Sequence, residues 1–233
     1  MSSRKLTRSI IVGVAAIAVA GGSYGIVSAT SGSSPAAASS GPAGGLGSGG
    51  GGSNARSGPA AGGASGTVGS VSTSKFTMTT PAGQKVTVDE AASTTYQKQA
   101  SPASASAVTT GEPVLVLGTV NNTTITAMQV IVQPAGGGSA TSSAAKVIPF
   151  QRGAPTASKQ VGQIPANWSQ GSGTIISGTA ANKATEAALA AYPGGIVDRV
   201  VKLSNGEYNV HYIGVNWPHH VFVNQDFKVL GAE

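Results

Sequence analysis

The chain has three histidines, His211, His219 and His220, all inside the single stretch 211–220. Imidazole titrates near neutral pH and is a common metal ligand. If 207–213 and 219–224 are adjacent strands with Tyr212 paired to His219, His211 faces His220 across the hairpin on its outer surface. Two imidazoles so placed can hold a divalent metal once an Asp or Asn completes the set; otherwise they are a solvated pair flanking a turn. The same register puts His219 on the opposite face. No metal and no cofactor is therefore assigned, and His211 and His220 stand only as the candidate pair. Trp217, beside Pro218 in the intervening turn, offers a large apolar ring. It serves either as an anchor for a partner or as a cover for the open end of a small sheet. Trp217 is the candidate partner-binding residue.

Other chemistry fails on composition or context. Zero Cys removes disulfides, zinc-thiolate sites, iron–sulfur clusters and a cysteine nucleophile. Gly21-Gly22-Ser23-Tyr24-Gly25 matches a nucleophile-elbow pattern, but within an apolar N-terminal run and not between a strand and a helix. Gly47, Gly49 and Gly52 match a dinucleotide fingerprint only because they sit in a glycine tract. The eight acids are scattered, so no catalytic set is visible and the expectation is a non-enzyme. A formal charge of +6 suggests nucleic acid, yet residues 1–66 hold four basic groups and no acid. The remainder carries ten basic against eight acidic groups, which leaves no basic patch to grip phosphates.

The elements that must position these residues divide the chain into five stretches. Residues 1–9 are basic (Arg4, Lys5, Arg8), and 10–29 are uncharged and mostly apolar. A basic tip before an apolar run reads as a signal peptide, with Val27-Ser28-Ala29 as its cleavage site, or as an N-terminal membrane anchor. Either way the rest lies outside the cytoplasmic membrane. Residues 30–65 are Gly, Ser, Ala and Pro with little else, a flexible linker with a reach of about 30–35 Å. Residues 66–133 alternate as short strands with turn residues Pro81-Ala82-Gly83 and Asn121-Asn122 between them, which predicts a small β-barrel. Residues 134–173 read as linker and extended packing segment. The pattern in 174–233 predicts a helix from 180 to about 191, capped by Thr179, with Ala181, Ala184, Ala188 and Tyr192 on one face. Pro193-Gly194-Gly195 stops it, and strands follow with Asn205-Gly206 as a hairpin turn.

Two resemblances emerge from these residues. Gly66-Thr67-Val68, Phe76-Thr77-Met78, Gly111 with Val114, Leu115 and Val116, and Ala127-Met128-Gln129-Val130 are similar in order to a bacterial family of small OB-like barrels of unassigned function. Ala184, Ala188-Leu189, Tyr192-Pro193-Gly194-Gly195-Ile196-Val197, Gly206-Glu207-Tyr208-Asn209-Val210, Val221-Phe222-Val223 and Lys228-Val229-Leu230-Gly231 resemble a PepSY domain. Where that family has Val-Asp before a small turn, Val223-Asn224-Gln225-Asp226 displaces the acid. The resemblance implies a small helix-plus-antiparallel-sheet module that binds and restrains peptidases, with no catalytic residues. The fold class expected is thus α+β, a small β-barrel followed by a PepSY-like module. The expected function is an exported or anchored envelope protein that binds a protein or peptide partner, a peptidase among the possibilities. The alternative is a purely structural envelope protein. Membrane contact is expected through 10–29 if they are uncleaved.

Overall fold

Alternating β-branched residues and threonines dominate the chain from residue 60 onward, and strands are what they form. The computed structural model describes residues 58–134, 147–151 and 159–233. The export segment read over 1–29 and the linker up to 57 lie outside the described residues. The strands are β1 (Ala60–Val71), β2 (Lys75–Thr79), β3 (Lys85–Lys98), β4 (Ser101–Ala103), β5 (Pro113–Asn121) and β6 (Thr124–Val132). After them come β7 (Ile148–Pro149), β8 (Val161–Gly162) and β9 (Thr174–Ile176), then the helix α1 (Thr179–Ala191). The chain ends with β10 (Ile196–Lys202), β11 (Tyr208–Ile213), β12 (Val215–Trp217), β13 (His220–Val223) and β14 (Val229–Ala232).

The expected α+β pair of modules is not what forms. The described residues make a mostly β structure with one α-helix, and one mixed sheet runs β2-β3-β6-β5-β1-β10-β11-β13-β14-β8. β4 adds to β3 and β9 to β10, while β12 and β7 pair apart. The sheet does not end as a barrel, and the helix and C-terminal strands are not a module to themselves. The physical reason is β1. Its first half pairs with β5 on one side and β10 on the other, Gly63 standing opposite both Leu117 and Val197. Its second half pairs with β2, as Val68 does with Met78.

Glycine makes that branch possible. A Cβ on Gly62 would sit 2.0 Å from the Val197 carbonyl oxygen, and one on Gly63 would sit 2.2 Å from that of Val116. Two consecutive residues without side chains let both neighbours approach. This is also why β1 begins inside the stretch whose composition reads as linker.

β5 serves two cores. Val114 and Val116 face one cluster with Phe76, Met78, Val88 and Ile125, whereas Leu115 and Leu117 face the cluster beneath α1. A strand buried on both faces reads as an unbroken apolar run, as Val114 to Leu117 does. The helix packs through Ala181, Ala184, Ala188 and Leu189 against Val200, Val210, Tyr212 and Val221. Its small-residue stripe matches expectation, but its cap does not. Gly178 occupies the N-cap position with φ 77°, Thr179 is already helical, and no side chain caps the first turn.

Candidate functional site

The polar residues of the C-terminal half gather on the sheet face turned away from α1. A β-bulge in β10 creates the gathering. Val197 pairs with Tyr212 and Arg199 with His211, so Asp198 is the extra residue between them. A bulge lets two consecutive side chains leave the same side of a strand. Arg199 Nη1 accordingly donates to Asp198 Oδ2 at 2.9 Å. His211 Nδ1–H donates to Asp198 Oδ1 at 2.5 Å. On the next strand His220 stands opposite His211, with ring centroids 5.0 Å apart, and its Nδ1–H donates to Asn209 Oδ1 at 3.0 Å.

The register expected for the two histidines is therefore the one observed, Tyr212 N donating to His219 O. Their environment differs from the expected outer surface. The side chains of Arg199, His211 and Asp198 are only 9%, 13% and 19% exposed. Trp168 lies against the face, 5.1 Å from the ring of His220 and 5.1 Å from that of Phe222. His219 also comes closer than expected, its ring 6.2 Å from that of His211. Burial, then the neighbouring His211, His219 and Arg199, push His220 down to about 3, so its ring is neutral at pH 7. Burial followed by His211 lowers His219, and Asp198 opposes the shift.

This arrangement orients the two imidazoles. The Nδ1 atoms of His211 and His220 are already engaged by Asp198 and Asn209. Among the described residues no three His, Asp or Glu side chains come together as ligands.

Trp217 is not an exposed anchor. It is 2% exposed, its Nε1–H donates to the Lys159 carbonyl at 2.7 Å, and the edge of Tyr192 meets it at 5.5 Å between centroids. The expected turn is in part the short strand β12, paired with β7, and that pairing carries the indole inward to close the end of the core.

A second feature lies on the free side of β9. Among the described residues this strand pairs only with β10, Ile176 opposite Val200 and Thr174 opposite Lys202. Beside it opens a shallow cavity of about 570 Å³ lined by Asn167, Ser172, Gly173, Thr174, Ile176, Lys202, Leu203 and Ser204. Its walls mix apolar side chains with hydroxyls and an amide, and Lys202 is its only charged lining residue.

Comparison with known proteins finds no matching family model, curated protein or solved structure. Function must be argued from these residues alone. The sequence reading missed Asp198, Arg199 and Lys202. One signal was present: two adjacent charges inside the apolar run of β10 break strict alternation, as a bulge does.

Proposed function

We propose that the protein is a non-catalytic exported or membrane-anchored envelope protein whose C-terminal half binds a protein or peptide segment. The observation that supports this reading is the side of β9 that no strand among the described residues pairs, next to the open cavity. A strand with one free edge accepts an extended peptide through backbone hydrogen bonds, and an adjoining pocket selects its side chains. About 570 Å³ falls within the usual volume of ligand pockets. Lys202 in the rim suits an acidic side chain or a terminal carboxylate. Peptidases are the partner class that the PepSY-like residue pattern indicates. Anchoring, where the start of the chain is uncleaved, is through the uncharged and mostly apolar residues 10–29.

The test is a displayed library of unstructured peptides panned on the immobilised full chain. Peptides with an acidic residue or a free C-terminus are expected to be enriched. Thr174→Trp, which fills the exposed rim without touching the core, is expected to weaken them at least about tenfold. Enrichment that Thr174→Trp leaves unchanged overturns the site. A library that yields no binder leaves the purely structural role.

A further inference from the structure

The segment 159–176 crosses the C-terminal half as a strap, and its two ends are fastened differently from its middle. At the leading end Lys159 O receives the Trp217 indole, Gly162 pairs with Gly231, and Gln163 N donates to Leu230 O at 3.0 Å. At the trailing end β9 pairs with β10. Between them Pro165 is buried, Asn167 Nδ2 donates to Ser204 Oγ at 2.9 Å, and Trp168 lies against His220 and Phe222. The asparagine contact is exposed, and the indole is the strap side chain that covers His220.

The surface beneath that indole is crowded with groups that can become cations. His220 faces His211 from β11, Arg199 from β10 and His219 from its own turn. Among the described residues one side-chain anion, Asp198 of β10, meets this cluster, and it is already shared between Arg199 and His211. Glu233, at the end of the chain beside β14, pairs with His220 through the backbone, but its carboxylate receives Gln160 at 3.2 Å. The strap carries no charged residue from 160 to 176. The Trp168 and His220 rings are inclined at 57°, so the imidazole does not stack flat on the indole. The indole Nε1–H is itself buried without a hydrogen-bond partner among the described residues. A new proton on this cluster meets like charge and an apolar lid, and relief requires water.

We propose that acidification releases the middle of the strap: proton uptake by His220, which lies against Trp168, drives the indole off the sheet face while the strands keep their pairing.

The sign follows from linkage. A histidine held neutral under the lid has a lower affinity for protons than the same histidine in water. The closed form is therefore fully favoured above the ordinary pKa of 6.5 and loses ground as pH falls below it. For His220 the loss continues down to about 3. Each pH unit in that window raises the open-to-closed ratio by up to about tenfold for one proton taken up. The proposal does not depend on the partner reading, because its readout is the strap itself.

The experiment is amide hydrogen exchange of the full chain at pH 7 and pH 5, corrected for the intrinsic pH dependence of exchange. Peptides covering 164–172 are expected to exchange at least about tenfold faster at pH 5, while those from β10 and β11 change by less than about twofold. In His220→Phe, which keeps a ring under the indole but cannot take a proton, the acceleration is expected to fall clearly below the parent value. A Trp217→Phe chain, with Trp168 as its sole indole, supplies a second readout: its emission is expected to shift red below pH 6.5 before far-UV ellipticity changes. Should Trp217→Phe fail to fold, exchange in the unaltered chain still decides. Equal corrected exchange at both pH values overturns the proposal. So does loss of protection across all strands together, or an unchanged response in His220→Phe.

Discussion

Asp198 and Arg199 are consecutive in the chain yet meet side by side on one face of the sheet, Arg199 Nη1 donating to Asp198 Oδ2 at 2.9 Å. In a regular strand their side chains would point to opposite faces. The bulge between Val197 and Arg199 brings them together, and His211 completes the set from the neighbouring strand.

Removing the carboxylate leaves a guanidinium that is only 9% exposed with no partner among these contacts. Breaking a fully buried pair costs roughly 3–5 kcal/mol. Asp198 is 19% exposed, so Asp198→Asn is expected to cost about 2–4 kcal/mol, read as a lower midpoint in urea denaturation with an unchanged slope. A midpoint within experimental scatter of the parent would show that water already supports Arg199.

The sheet predicts one cooperative unit where composition suggests two modules. Gly62→Ala forces a Cβ toward the Val197 carbonyl at 2.0 Å and loosens the β1–β10 junction. It is expected to lower the midpoint for the N-terminal strands, followed by far-UV ellipticity, and that of the C-terminal half, followed by tryptophan emission, by the same amount. Both tryptophans lie in the C-terminal half. Emission that holds its midpoint while ellipticity shifts would mean that the halves unfold separately.

Much of this architecture is legible in the residues. Alternation in Phe76 and Met78, the Asn122 turn with φ 53°, the alanine stripe of α1 and the Asn205-Gly206 turn all fall where local rules put them. What local rules do not carry is pairing between distant strands. Gly62 and Gly63 look like linker because glycine's role at a branch depends on which carbonyls approach it. Trp217 reads either as anchor or as lid because its burial is decided by β7, far upstream in the chain, and by Lys159. The two histidines were findable because a hairpin register is local. Trp168 above them was not, since it arrives from another segment.

Trp217→Ala is expected to act on stability. The indole is buried, with a hydrogen bond to Lys159 and the Lys159 ammonium 4.6 Å from the ring centroid. Truncating a buried tryptophan costs about 3–5 kcal/mol. Thermal unfolding of the variant should shift well below that of the parent, and at temperatures where it remains folded its affinity for library peptides should match the parent. A stable variant with lost peptide binding would restore Trp217 as the anchor.

The hydroxyl of Tyr212 gives the reverse expectation. The side chain is fully buried beneath α1, and its OH has no hydrogen-bond partner among the described residues. Burial pushes its pKa well above the usual 10, with Tyr192 adding to the shift, so it is neutral at pH 7. A buried hydroxyl without a partner costs about 1–3 kcal/mol of desolvation that folding does not recover. Tyr212→Phe removes the oxygen and keeps the ring against Gly195 and Val215. The small space left behind costs less than the polar group did. The variant is therefore expected to be as stable as the parent or more stable by about 1–2 kcal/mol, measured by urea denaturation at pH 7. A loss above about 1 kcal/mol would mean that the hydroxyl is hydrogen-bonded under α1 after all.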